Sequence, residues 1–362
     1  MAYTTINKST AHFNTVTWSG DSTTPKNITG VGFTPDLIWG KSRNTAYNHK
    51  LYDSVRTFGN DKELSSSENT VEGGSNSNQY GYLSGTVSDG FTTTKGSDGG
   101  ADGYGYWNES GRTYVAWNWK AGTTGSGNTG GSGTYKAYSY SVNTTAGFSI
   151  VKYKGNGTAG HTIPHHLGAV PKMYVVKKIS GTGDWYTYHV GSGATTFLKL
   201  NGSDAKLTNS LWNNTAPTNS VFNIDNNSAV NGNDEDYIAY VFAEKTGYSK
   251  IGSFTGTGNA DGAFVYTGFK PTFLIFKNAG VGSESWEMFD TKRDNINVSY
   301  KGMHPNTSGA ELTNTAQGLD ILSNGFKARA NENRFNDDQN TIIYMAFGQS
   351  LVGSNNVPCT AR

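Results

Sequence analysis

Cysteine is almost absent. Cys359 stands alone, which excludes an intrachain disulfide and any cysteine-based metal cluster. Charge is scarce and balanced: charged residues make up 16% of the chain and the formal net charge is +1. No run of five Lys or Arg occurs, so the clustered cations that neutralise phosphates are missing and a nucleic-acid partner is disfavoured. No apolar stretch approaches the roughly 18 residues of a membrane-spanning helix. The first residues, Met1-Ala2-Tyr3-Thr4-Thr5-Ile6-Asn7, lack the charged and apolar regions of a signal peptide, so synthesis and folding in a cytoplasm are expected. Hydrophobic residues reach only 35%, while Gly numbers 47 and aromatics 13%, with 21 Tyr and 8 Trp. That balance suits many short strands joined by polar loops, with large rings filling small cores at about 150–250 Å² buried per ring.

Proline is also sparse, and three of the 8 recur in one context. Gly32-Phe33-Thr34-Pro35-Asp36-Leu37-Ile38-Trp39-Gly40-Lys41 is echoed by Gly168-Ala169-Val170-Pro171 running to Lys177, and by Gly268-Phe269-Lys270-Pro271 running to Lys277. Each reads as a turn, a proline at a strand start where its missing N–H is harmless, a buried strand, and a Lys ending the strand in solvent. Upstream of each anchor a strand ends in glycine, at Gly20, Gly155 and Gly256. Downstream comes a second aromatic strand: His49-Lys50-Leu51-Tyr52-Asp53, Trp185-Tyr186-Thr187-Tyr188-His189 and Trp286-Glu287-Met288-Phe289-Asp290. Hairpin cues follow at Asp89-Gly90 and Asn324-Gly325, with Ser220-Val221 in the equivalent place. Each copy closes on an apolar strand, Tyr114–Trp119, Tyr237–Phe242 or Ile342–Phe347.

The expectation is an all-β chain of three tandem β-sandwiches, jelly-roll-like, of roughly 100 residues each. The boundaries read as an arm over 1–10, a first unit over 11–121, a linker and strand over 122–143, a second unit over 144–247, a third over 248–352, and a tail over 353–362. Within the linker, Ala121 to Gly133 has no side chain larger than Asn and reads as flexible coil. It is no phosphate-binding loop, because no Gly-Lys-Ser/Thr follows.

Few constellations point to chemistry. His161, His165, His166 and His189 crowd the second unit, but no carboxylate stands at a zinc-site spacing, so a polar loop is the simpler reading. Asp234-Glu235-Asp236 and Asp337-Asp338 could offer oxygen ligands to calcium, yet the twelve-residue calcium-loop pattern is absent. Asp53 with Arg56 and Asp290 with Arg293 read as exposed loop ion pairs, each worth about 0–1 kcal/mol. Glu109 and Glu235 precede closing strands, but nothing repeats around them to suggest a hydrolase pair. No catalytic residue, cofactor or metal is therefore assigned. Tyr104, Tyr106 and Trp107 in one loop, and Trp185 with Tyr186 beside another, are the candidate glycan or receptor contacts, since aromatic faces stack on sugar rings and loops carry function on sandwich scaffolds.

The first unit, through its anchor, His49-x-Leu51-x-Asp53-Ser54-Val55-Arg56, Asp89-Gly90-Phe91 and Tyr114-Val115-Ala116-Trp117-Asn118-Trp119-Lys120-Ala121-Gly122, resembles an uncharacterised domain found in structural proteins of tailed bacteriophages, notably marine ones. The likeness covers residues 11–122 closely and the other two units in outline. It departs at Gly40, where an aliphatic residue is usual. The resemblance implies a non-enzymatic virion component, made in a bacterial host: a capsid decoration, a head fibre or a tail fibre. The partners expected are other copies of the chain, capsid or tail proteins and, through the aromatic loops, host surface glycans. No heptad run supports a coiled-coil shaft, and a homotrimer joined through sandwich faces or termini is expected. A polysaccharide depolymerase and a free carbohydrate-binding module are the alternatives.

Overall fold

The computed structural model describes residues 4–350; the tail at 353–362 and Cys359 lie outside them. The chain is nearly all antiparallel β, in packed sheets. One neighbour order appears in each third of the chain. In the first, Phe13–Ser19 pairs with Thr113–Trp119, which pairs with Leu37–Ser42, which pairs with Lys50–Asp53. The second places Phe148–Lys154, Asp236–Phe242, Met173–Lys178 and Trp185–His189 in the same sequence of neighbours. In the third, Ser249–Thr255, Thr341–Ser350, Phe269–Asn278 and Glu287–Asp290 do likewise. A closing strand thus sits between the opening strand and the anchor strand every time.

A small three-stranded sheet covers the outer face of each inner sheet. Its middle strands are Gly90–Thr94, His161–Pro164 and Gly325–Ala328. Both Gly hairpin cues fold as expected, Tyr82–Val87 turning into Gly90–Thr94 and Leu319–Leu322 into Gly325–Ala328. The second unit has no such hairpin, and its third outer strand comes from Gly130–Gly131. Three apolar clusters fill the sandwiches, represented by Ile38 with Phe91, Val176 with Phe222, and Phe276 with Phe326.

A fourth cluster draws on all three units at once. It explains why the anchor strands are apolar on both faces: in Leu37–Ser42 every residue is buried. Ile38 points into its own sandwich, whereas Leu37 and Trp39 point to the shared centre. The structurally equivalent rings Trp119, Phe242 and Phe347 meet there, with centroids 5.9–6.3 Å apart. An apolar void of about 20 Å³ remains beside them, large enough for about one water but without polar partners to hold it. The units are therefore not independent beads; their inner sheets share one core.

Three expectations change here. The glycine-rich segment is not a flexible coil. Thr123–Asn128 is a strand paired with Ala137–Asn143, extending the second unit's sheet to eight strands. Two of its glycines let tyrosines lie across the strand, because a Cβ on Gly125 or Gly127 would lie 2.6 or 2.9 Å from the Tyr140 or Tyr138 hydroxyl oxygen and displace the ring. Residues 4–10 do not form a free arm either: Ile6 is buried, and the Ser9 hydroxyl donates to Gln349 Oε1 at 2.8 Å. The prolines vary as well. Pro35 and Pro171 precede their strands, while Pro271 lies inside its strand at a register shift, where a missing N–H is tolerated.

Candidate functional site

The junction between units is where the repeated residues converge. Register makes His49, Trp185 and Trp286 equivalent, because Leu51, Thr187 and Met288 stand opposite Leu64, Leu198 and Met303. Each ring N–H donates to a backbone carbonyl in a neighbouring unit, one residue beyond that unit's own member of the set Leu64, Leu198 and Met303. His49 Nε2 reaches His304 O at 3.0 Å, Trp185 Nε1 reaches Ser65 O at 2.8 Å, and Trp286 Nε1 reaches Lys199 O at 2.9 Å. Trp39 donates to His49 Nδ1, which places the imidazole proton on Nε2. A second set runs the other way between loops: Glu72 N to Ile179 O at 3.3 Å, Lys206 N to Ala279 O at 3.0 Å, and Glu311 N to Arg43 O at 2.7 Å. Both sets close a cycle of first, second and third unit, an approximate threefold arrangement within one chain.

The two Asp–Arg pairs belong to this junction and are buried, not exposed loop pairs. Arg56 Nε donates to Asp53 Oδ2 at 2.6 Å, and Arg293 Nε to Asp290 Oδ2 at 2.5 Å. The neighbouring unit completes each carboxylate: Tyr240 Oη donates to Asp53 at 2.8 Å and Trp117 Nε1 to Asp290 at 3.0 Å. Burial acts against the charged form of Arg56, but the nearby carboxylates outweigh it and hold the guanidinium protonated. At the third corner the residues equivalent to Asp, Arg and the ring donor are His189, Ser192 and Met345. There His189 Nε2 donates to Tyr344 O at 3.1 Å, and burial lowers the imidazole to about 4.

Lys41, Lys177 and Lys277 do not end their strands in solvent. All three are buried, with amines on carbonyls: Lys41 on Ser42 and Thr45, Lys177 on Lys178, Lys277 on Glu284 and Ser203. Burial pulls Lys41 down to about 7 and Lys177 and Lys277 to about 8. A repeated asparagine was missed altogether. Asn108, Asn231 and Asn336 precede the closing strands, and each side chain bonds the loop after the opening strand, accepting from Asp21, Asn156 or Thr257 N. Gly20, Gly155 and Gly256 allow that approach, since a Cβ there would lie 2.0–2.3 Å from a carbonyl oxygen. The constant spacing of Asn from the closing strand was the available signal.

The aromatic candidates do not assemble into a surface. Trp107 and Tyr106 fill the first sandwich, and Trp185 lies in the shared core. Tyr104 is half-buried under Lys95, and Tyr186 is half-buried against Phe197. Gly40 departs from an aliphatic residue for a steric reason: a Cβ there would sit 2.3 Å from the Trp107 ring. The histidines have separate partners. His161 lies between Asn231 and Thr129, His165 faces Thr218 O, and His166 stacks on Tyr140 at 3.7 Å. Asp234, Glu235 and Asp236 turn to three different lysines, Lys136, Lys178 and Lys154. Glu109 faces Arg112 and Tyr47. Among the described residues no cluster of three or more His, Cys, Asp or Glu is arranged to hold a metal, and no helix is long and apolar enough to cross a membrane.

Fold and junction together define an all-β protein whose sandwiches are locked around one centre. Residues 8–350 match the DUF7483 family, a domain of unknown function, and the chain belongs to that family. No curated protein and no solved structure matches it.

Proposed function

We propose that the protein is a non-enzymatic structural component on the exterior of a tailed-phage particle, as a capsid decoration, head fibre or tail fibre, with host surface glycans as its outward contact. The observation that carries this reading is the use of the repeated polar groups. Asp53, Asp290, the three lysines and the three asparagines all hold backbone or neighbouring units together inside the molecule. Such a block resists deformation while its outer sheets and loops face away from the shared centre, which suits a particle surface. The resemblance of the first unit to phage structural domains supplies the setting. The recurring strand order supports the triplication read from the sequence.

Capsid or tail proteins are the partners in this reading. The homotrimer is its weakest part, because one chain already supplies the threefold packing that a trimer would supply between chains. Light scattering tests it: a species of 38.9 kDa argues for a single copy, and three times that mass restores the trimer. Antibody-gold labelling of intact and opened particles from the source phage tests the whole reading. Label on intact particles is expected, and its absence from both preparations would reject a virion role.

A further inference from the structure

The three units provide an internal control for surface chemistry. On the outer-sheet strand that follows each unit's opening strand in the chain, Ile28, Ile163 and Val265 point inward at equivalent positions, opposite Phe91, Phe222 and Phe326. Their flanking residues face outward. In the first unit these are Asn27 and Thr29, and in the second Thr162 and Pro164. In the third they are Phe264 and Tyr266, 47% and 57% exposed. Folding does not require rings there, since two equivalent strands do without them. Large exposed apolar side chains placed side by side mark contact surfaces.

The surroundings are polar. Tyr266 walls a groove of about 300 Å³ with Glu244, Thr246, Gly247, Ser249, Lys250 and Thr267. Lys250 Nζ lies 3.5 Å from Glu244 Oε2, which sets a charged donor next to a charged acceptor beside the ring. On the other side Phe264 lies over Gly325, and Asp261 joins Lys327 at 2.7 Å and Arg329 at 3.0 Å. A groove at the lower end of small-ligand volumes, with one aromatic wall and paired donors and acceptors, fits a hydroxyl-rich ring better than a flat apolar partner.

We propose that this groove is a saccharide-binding site, with Tyr266 stacking on a sugar ring, Glu244 and Lys250 bonding its hydroxyls, and Phe264 extending the platform. The assignment rests on the glycan-contact part of the proposed function and moves that contact from the buried Trp107 and Trp185 to the third unit. The test is saturation-transfer NMR with a panel of methyl glycosides of glucose, galactose, mannose, rhamnose and N-acetylglucosamine, on the full chain and on Phe264→Asn/Tyr266→Thr. That variant installs the first unit's own residues at exposed positions, so its melting temperature should match the parent's. At least one glycoside should bind the parent, and the variant should bind about tenfold more weakly, the scale of one lost ring contact. No binding across the panel, or equal binding by the variant, overturns the site. Gold labelling of particles carrying the variant separates this proposal from the virion reading. Normal labelling with lost saccharide binding upholds both. Lost labelling without any saccharide binding makes the patch a protein assembly contact and overturns the glycan assignment alone.

Discussion

Two corners of the junction hold a buried carboxylate, a guanidinium and a ring donor from the neighbouring unit; the third holds His189, Ser192 and Met345. The same backbone frame accommodates both solutions. A buried ion pair is therefore not what makes the corner; a complete set of partners is. Replacing a buried pair by a matched set can be nearly neutral, whereas removing one member strands a charge. Within this chain the three positions differ together.

The largest expected effect breaks one corner by a single change. Asp53→Ala leaves Arg56 without its closest carboxylate and Tyr240 without an acceptor, and should cost about 3–5 kcal/mol in urea unfolding. Next comes acid at the odd corner. Burial holds His189 at about 4 in the folded chain against the ordinary 6.5, so the unfolded chain takes up the proton first. Its contribution is intact above pH 6.5 and lost as pH falls toward 4, on the order of 3 kcal/mol in all. His165, also at about 4, acts in the same direction, so the measurement is a difference: His189→Gln should show a shallower loss of stability from pH 6.5 to 4 than the parent. An unchanged slope would mean that the corner opens before it titrates. A smaller effect is expected when the first corner is rebuilt as the third, by Asp53→His, Arg56→Ser and Tyr240→Met together. A loss of about 1–2 kcal/mol, less than the single change, is expected because no fully buried charge is stranded; Glu72, which also meets Arg56, stays part-exposed beside Lys62. A loss equal to or above that of Asp53→Ala would end the comparison. The smallest effect belongs to the ring of donors. Trp286→Phe removes one hydrogen bond to Lys199 O and should cost about 1 kcal/mol, seen as a small fall in the urea midpoint.

The strands were legible because their chemistry is local. The Pro and Lys spacing, the glycine at the end of each opening strand and the Asn-Gly and Asp-Gly hairpins all depend on neighbours within a few residues. The side on which a group lies was not legible where a distant unit decides it. Lys277 reads as a strand terminator until Ser203, 74 residues earlier, supplies a carbonyl for its amine. Asp53 and Arg56 read as a surface pair until Tyr240 covers them from 187 residues away. Trp107 sits among glycines and polar residues, the composition of an exposed loop, and its destination depends on the side chain missing at Gly40. The linker misled for a related reason: its glycines look like slack until Tyr138 and Tyr140 lie across them. The exposure of Phe264 and Tyr266 was not legible, because period-two alternation does not say which face is wet.

The order of manufacture gives the cyclic contacts a further consequence. A ribosome delivers the first unit with its Trp117 and His49 donors intended for residues around 290 and 304, which do not yet exist. Until the strand Thr341–Ser350 emerges, the axis-facing sides of Leu37, Trp39, Met173 and Val175 lack the last third of their cover. The nascent chain holds an unfinished apolar face from the first unit until that strand appears, the situation in which partly made β-proteins associate wrongly. Truncation before that strand is then expected to leave Leu37, Trp39, Met173 and Val175 partly uncovered, whereas a point change in an outer sheet leaves that face closed.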